Sequence, residues 1–335
     1  MTAGATGQEH STSSGEPGPS PGPRRGLVLG GGGSLGAAWT IGALCALEEA
    51  CGWDPRTADV VLGTSAGSLV GSMLAIGVSA AELCDHQRGV MPASGPMRGI
   101  PVDYDTWVGG ALPRVPRAGI GSLRLLRDLA GHPHRMPFTT VLAAAAPPGR
   151  GSLDGVRELY RRLRMDDRWP ENPALRVVAV DLDTGLRVSF GTPDAPRTDL
   201  ASAVTASCAL PAWFAPVRID GRRYVDGCAW SDTNLDLLAG EHLDEVFVLA
   251  PTCARETDHP RGVPTRVERA LRRISTTRLL RESQQVRAEG TRVHVLVPGP
   301  EDLAAMGANL MAPTHRLAVL ETSLRTTAAA LSRGR

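Results

Sequence analysis

Gly63-Thr64-Ser65-Ala66-Gly67 sets a serine between glycines at the spacing G-x-S-x-G. The apolar run Val60-Val61-Leu62 precedes it, and a largely apolar segment closed by Gly77 follows. This context predicts a strand, a sharp turn and a helix, which lifts a serine hydroxyl clear of the backbone as a nucleophile. Glycines suit such a turn because side chains there would collide with neighbouring backbone. The following helix N-terminus adds unpaired N–H groups and partial positive charge, which favour a developing anion. The plainer reading of Ser65 is an N-cap.

A glycine cluster lies upstream. Gly30 to Gly33, then Ser34, Leu35 and Gly36, follow the short apolar run Gly26-Leu27-Val28-Leu29. Without Cβ atoms, several N–H groups can converge on one anion. One chemistry is an oxyanion hole for acyl transfer, drawn from Gly31, Gly32, Gly33, Ser34 and Gly36. Another is a dinucleotide fingerprint, since Gly31, Gly33 and Gly36 match G-x-G-x-x-G. The fingerprint asks for an acidic residue about 20 positions on, at a strand end. Asp54 lies near that distance, but within loop-like Gly52-Trp53-Asp54-Pro55. A third reading is close helix–strand packing. The serine turn downstream favours the oxyanion hole.

A nucleophilic serine needs a base. The 8 histidines are His10, His86, His132, His134, His242, His259, His294 and His315, and none stands in a catalytic motif. A buried carboxylate serves instead if it comes within about 2.6–3.2 Å of the hydroxyl. Asp226-Gly227 follows the β-like run Arg222-Arg223-Tyr224-Val225. Asp220-Gly221 already supplies the hairpin turn there, so the second Asp-Gly is spare. An ordinary turn aspartate remains the alternative.

Taken in order, Gly31–Gly36, Gly63–Gly67 and Asp226-Gly227-Cys228 resemble the patatin-like phospholipase family, and residues 206–227 resemble its approach to the catalytic aspartate. The resemblance spans roughly residues 26–240. It implies an α/β fold, a three-layer α/β/α sandwich with a mostly parallel central sheet. It also implies lipid acyl-ester hydrolysis of the phospholipase A, lysophospholipase or esterase type, through a Ser65–Asp226 dyad without a catalytic histidine. Carried over, Ser65 attacks, Asp226 is the general base, and the amides around Gly32, Gly33 and Ser34 hold the oxyanion. Gly63, Thr64, Ala66 and Gly67 shape the elbow, Gly227 and Cys228 flank the base, and Asn234 supports its loop. No cofactor and no metal are implied. Two positions depart from the pattern: Leu35 stands where family members commonly carry Arg or Lys, and Cys228 where Gly or Ala is usual. Competing readings are an α/β-hydrolase triad using His294 or His315, and an inactive lipid- or nucleotide-binding protein of the same fold.

The elements that must position these residues are legible in outline. The chain has 335 residues, 42% apolar, enough for one large core or two modest domains. Its net charge of +1 and 4% aromatic content argue against nucleic acid as a partner. Every basic residue is arginine, which excludes lysine chemistry. The 6 cysteines show no C-x-x-C pair and read as reduced core thiols of a cytoplasmic protein. No apolar run reaches the roughly 20 residues of a membrane span. Peripheral membrane contact is expected from a lipid substrate, with segments 90–150 and 264–289 as surfaces.

Residues 1–25, rich in Ser, Gly and Pro, predict a disordered tail. Strand–turn–helix units from Gly26 to Gly77 predict a parallel sheet. Segment 90–150 reads as an irregular insertion, a lid or an idle excursion, with one amphipathic stretch at 122–131. Strands are expected at 174–182, 186–191, 244–251 and 291–298, and helices at 199–210, 264–289 and 314–332. The catalytic domain is expected over 26–250. Residues 251–335 read as a helical extension with one further strand, packed on the same domain.

Overall fold

The computed structural model describes residues 22–101, 116, 118–131, 136–165, 169–170, 174–256, 258, 260 and 262–333. The expected tail, up to residue 21, lies outside them with His10, as do His132, His134, His259 and much of the expected insertion.

Strand β1 (Arg25–Leu29) enters helix α1 (Gly33–Cys51), and β2 (Val60–Thr64) enters α2 (Ala66–Ala75). Helix α3 (Ala80–Gln87) opens with a capping box made by Ser79 and Glu82. The insertion is more regular than expected, because α4 (Leu123–Gly131) is followed by α5 (Phe138–Ala145). The run Phe138–Ala145 is short, mostly apolar and bracketed by Pro137 and Pro147, which hid it. Next come α6 (Asp154–Arg162), the hairpin β3 (Ala174–Asp181) and β4 (Arg187–Phe190), and α7 (Leu200–Ser207), capped by Asp199. A second hairpin, β5 (Val217–Ile219) and β6 (Arg222–Asp226), turns at Asp220-Gly221 with positive φ at both residues. The chain closes with β7 (Glu245–Leu249), α8 (Val263–Arg287), β8 (Arg292–Leu296), α9 (Pro300–Met306) and α10 (Arg316–Arg333).

The strands form one sheet in the order β5-β6-β3-β2-β1-β7-β8, with β4 also paired to β3. Pairs among β3, β2, β1, β7 and β8 are parallel, while β4, β5 and β6 add antiparallel edges. Alternation along the strands divides the core. Leu27, Leu29, Val61, Phe247 and Leu249 face a layer built from α1, α2, α3, α6, α7 and α10. Val28, Val60, Leu62, Val246 and Val248 face the opposite layer, which contains Leu279 and Val286 of α8. The result is a three-layer α/β/α sandwich around a mixed, mainly parallel sheet.

The C-terminal elements belong to this framework: β8 continues the sheet beside β7, and α10 lies along α1. All six cysteines are free; Cys84 and Cys253 are buried, but Cys51 is exposed at the end of α1 rather than in the core. No helix among the described residues is long and apolar enough to cross a membrane.

Gly42 sets the approach of α1 to α10. A Cβ there would stand 2.6 Å from the Leu320 carbonyl oxygen and 3.1 Å from the Leu324 nitrogen. Gly42→Val should therefore destabilise the protein by about 2–4 kcal/mol in denaturant unfolding, since overpacking must displace a helix backbone. Wild-type stability of that variant would contradict the close packing.

Candidate active site

One edge of β3 organises the site. Strand β2 pairs with β3 as far as Thr64 opposite Val178, and β6 takes over with Asp226 opposite Ala179. Because β4 occupies the other edge through Val177–Val180, β2 and β6 must meet end to end along the same edge. The residue after β2 is Ser65, and the last residue of β6 is Asp226. Two side chains 161 positions apart are thereby brought together.

Ser65 adopts φ 53° and ψ −125°, the sharp conformation predicted for the turn. Such backbone costs on the order of 1–3 kcal/mol and needs outside support. The Ser65 N–H donates to Ser207 Oγ at 2.8 Å, and the Ser207 hydroxyl donates to the Val178 carbonyl at 2.6 Å. Ser207 thus fills the gap left in the ladder where β2 turns away. Gly67 lies against the Leu29 carbonyl, where a Cβ would clash with β1 backbone. The Ser65 carbonyl accepts from Ser68 Oγ at 2.6 Å, closing the turn.

The Ser65 hydroxyl donates to Asp226 Oδ2 at 2.7 Å. The other oxygen, Oδ1, accepts the Cys228 N–H at 2.8 Å. Asp226 is buried, at 1% exposure, and burial pushes its carboxyl up to about 6 against the pull of these donors. At neutral pH it is largely ionised yet close enough to its pKa to exchange protons.

The turn after Asp226 is braced from several directions. Asn234, itself at φ 53°, donates from Nδ2 to Thr64 Oγ1 at 3.1 Å and to the Ser231 carbonyl at 2.6 Å. It therefore ties the loop beyond Asp226 to the end of β2. Arg187 grips Asp236 through 2.6 and 2.7 Å bonds and lies over Trp230 at 4.9 Å. From α5, Thr139 and Thr140 donate to the Ala229 carbonyl at 2.8 and 2.7 Å. A Cβ on Gly227 would meet the Val178 carbonyl oxygen at 2.6 Å, so this position has no room for another residue.

The glycine loop divides into anchors and free amides. Gly31 donates its N–H to the Asp232 carbonyl at 2.9 Å, Gly36 to Gly32 at 2.8 Å, and Leu35 to Leu310 at 2.9 Å. Gly31 and Gly36, expected among the oxyanion donors, spend their amides on fixing the loop. The N–H groups of Gly32, Gly33 and Ser34 make no hydrogen bond among the described residues. All three residues line the same cavity as Ser65 and Asp226. Cys228 fills the space beside Gly31, where a Cβ would clash with its Sγ. Burial beside Asp226 and Asp232 pushes the Cys228 thiol well above its usual pKa, so it stays protonated.

The cavity measures about 370 Å³ and changes character across the sheet. Toward one helical layer its wall is apolar, with Ile41 of α1, Leu69 and Met73 of α2, Leu83 of α3, Leu159 of α6 and Phe214. Toward α8 it is polar, with Asp232, Thr252, Glu268, Arg272 and Ser275. Arg272 is already committed to Glu268 and to the carbonyls of Pro251 and Cys253. Met97 is the described contribution of segment 90–150 to this wall; α4 and α5 contribute none.

No described histidine lines the cavity. His294 stacks on Phe247 with ring centroids 4.8 Å apart and stands 3.3 Å from Glu245, while His86 Nε2 lies 2.9 Å from the Ile100 carbonyl. Asp54 caps a short turn and pairs with Arg56, so it does not serve the fingerprint role. Among the described residues no cluster of His, Cys, Asp and Glu could hold a metal ion. Sequence reasoning missed Ser207, Asp232, Thr139, Thr140 and Arg187. Only Ser207 left a signal, a small polar residue ending a helix of small residues next to Cys208-Ala209-Leu210-Pro211.

Comparison with solved structures returned VipD from Legionella pneumophila, at 16% identity and a TM-score of 0.43, over 92% of this chain and 67% of that one. The type III effector ExoU matched at 18% identity and a TM-score of 0.34, over 93% of this chain and 54% of its own. The description "patatin-like phospholipase" matches residues 27–239, from the first strand past the Asn234 loop. On that match, which takes in more than half of its length and both Ser65 and Asp226, the chain belongs to the patatin-like phospholipase family.

Proposed function

We propose that this protein is a serine hydrolase of lipid fatty-acyl esters working through the Ser65–Asp226 dyad. The reading rests above all on the 2.7 Å bond from the Ser65 hydroxyl to a buried carboxylate, within a cavity that also exposes unpaired amides.

The acyl chain lies along the apolar wall between α1, α2, α3 and α6, and the alcohol portion faces the α8 side. Ser65 Oγ attacks the ester carbonyl as Asp226 Oδ2 takes its proton. The oxyanion forms against the amides of Gly32, Gly33 and Ser34 at the start of α1, which are fixed before charge develops. Collapse of the tetrahedral intermediate expels the alcohol, which receives the proton from Asp226, and leaves Ser65 acylated. Asp226 then deprotonates a water that attacks the acyl-enzyme. The fatty acid departs, and its displaced serine oxygen recovers the proton. The dyad needs no cofactor for these steps.

The Cys228 N–H on Oδ1 and the Ser65 hydroxyl on Oδ2 keep Asp226 oriented with only one oxygen available for proton transfer. Asn234 is a positioning residue here: it joins the strand end that carries Ser65 to the loop that follows Asp226.

Ser65→Ala should lower turnover of a p-nitrophenyl acyl ester by roughly three orders of magnitude or more while leaving the fold intact. Equal turnover by that variant would refute the nucleophile assignment. The rate constant kcat/KM should climb with pH through a limb near 6, as the Asp226 base form appears. A profile that is flat from about pH 5 to 8 would exclude a base with this pKa.

Asp226→Asn should abolish turnover yet raise stability above pH 6. The native carboxyl holds its proton more tightly than the unfolded one, from 3.8 to about 6. Stability is therefore lost as pH rises through that window, and the ionised group costs at most about 3 kcal/mol above it. Denaturant melts at pH 5 and pH 8 should show the variant gaining more at the higher pH; a loss at both would contradict the sign.

A further inference from the structure

Helix α8 carries its chemistry inside out along its first half. Arg269 and Arg272 point inward and are 5% and 3% exposed. Val263, Val267, Leu271 and Ile274 point outward at 70%, 56%, 58% and 59% exposure. Their spacing of 4, 4 and 3 puts them on one stripe of the helix. An ordinary surface helix would bury such side chains and expose the arginines. A contiguous exposed apolar stripe on a water-facing surface marks an interaction site.

The surroundings of the stripe specify the partner. Arg266, Arg273 and Arg281 are exposed, and their side chains make no ion pair or hydrogen bond among the described residues. Glu268, the acid of this half of the helix, is turned inward onto Arg269 and Arg272. Asp258, which borders the stripe beside Val263, Arg266, Val267 and Arg273, is held by Arg269, so among the described residues this half of the helix turns an apolar and cationic face outward. A second copy placed symmetrically on it would oppose arginine with arginine. An anionic bilayer instead offers acyl chains to the stripe and negative headgroups to the guanidiniums.

The stripe is also continuous with the active-site cavity. Leu271 belongs to both, being exposed on the stripe while lining the cavity beside Arg272 and Ser275. We infer that the outward face of α8 docks the protein on anionic lipid bilayers, with Val263, Val267, Leu271 and Ile274 inserted among the acyl chains and Arg266 and Arg273 on lipid phosphates. Docking in this way sets the cavity mouth at the depth where ester groups lie, a purpose that rests on the acyl-hydrolase reading of the dyad, although the binding itself does not.

Vesicle flotation tests the inference on the full chain, using phosphatidylcholine vesicles with and without phosphatidylglycerol. Wild type and Ser65→Ala should both float with the anionic vesicles, at least about tenfold more tightly than with neutral ones. Val267→Glu/Ile274→Glu should weaken that binding about tenfold or more, and Arg266→Glu/Arg273→Glu should erase the preference for phosphatidylglycerol. Circular dichroism of each variant guards against misfolding. In wild type, the ratio of turnover on vesicle-embedded ester to turnover on a soluble short-chain ester should exceed that of the glutamate variants.

Failure of wild type to bind anionic vesicles, or undiminished binding by a folded Val267→Glu/Ile274→Glu variant, would overturn the proposal. So would a dimer in solution that those substitutions dissolve while vesicle binding stays absent. Loss of all ester turnover in wild type with intact flotation would instead sink the hydrolase reading and leave the docking face standing.

Discussion

The site depends on two strands sharing one edge of a third. β2 ends opposite Val178 and β6 ends opposite Ala179, so their C-terminal residues converge. Everything else holds that junction shut. Ser207 bridges the Ser65 amide to the Val178 carbonyl, and Gly227 passes that same carbonyl with no space for a side chain. Asn234 spans from the loop after Asp226 to Thr64. A slip of one residue in β6 would turn Asp226 to the opposite face of the sheet, because side chains alternate along a strand. Register of β6 against β3 is therefore the variable that decides whether Asp226 meets Ser65.

Such a junction is unfavourable by itself. It contains a serine at positive φ, a buried carboxylate and a protonated, half-buried thiol beside it. The surrounding fold offsets these costs locally. Threonines of α5 secure the Ala229 carbonyl, and Arg187, paired with Asp236 and lying over Trp230, also holds the loop. These contacts add rigidity where the backbone is least favourable. Helix α5 buttresses the turn after Asp226, since Thr139 and Thr140 both bond the Ala229 carbonyl.

How far the sequence disclosed this depended on whether a residue acts through its own backbone or through a distant partner. Turn chemistry is local, so the Ser65 elbow and the Asp220-Gly221 hairpin were both visible. Helix α5 was hidden because it is short, mostly apolar and set between Pro137 and Pro147 in a proline- and glycine-rich segment. Ser207, Thr139 and Arg187 matter for contacts 29 to 142 positions away in the chain, which no spacing rule anticipates. The glycine loop lay between these cases. Its identity as an amide-rich turn could be read, but which amides are free depends on partners at Asp232 and Leu310.

The substitution of Leu35 for a cation becomes intelligible in this light. Its side chain is fully buried, and its N–H holds the Leu310 carbonyl. A guanidinium or ammonium in that packed apolar setting would be costly without a carboxylate partner. The loop is instead anchored at three points: Gly31 on Asp232, Leu35 on Leu310 and Gly36 on Gly32. Those anchors leave the amides of Gly32, Gly33 and Ser34 aligned with the start of α1, so oriented backbone dipoles supply positive potential without a formal charge. A potential built from backbone dipoles, unlike one from a side-chain cation, does not titrate. Asp226, which burial pushes up to about 6, is by contrast a group beside Ser65 whose charge changes near neutrality.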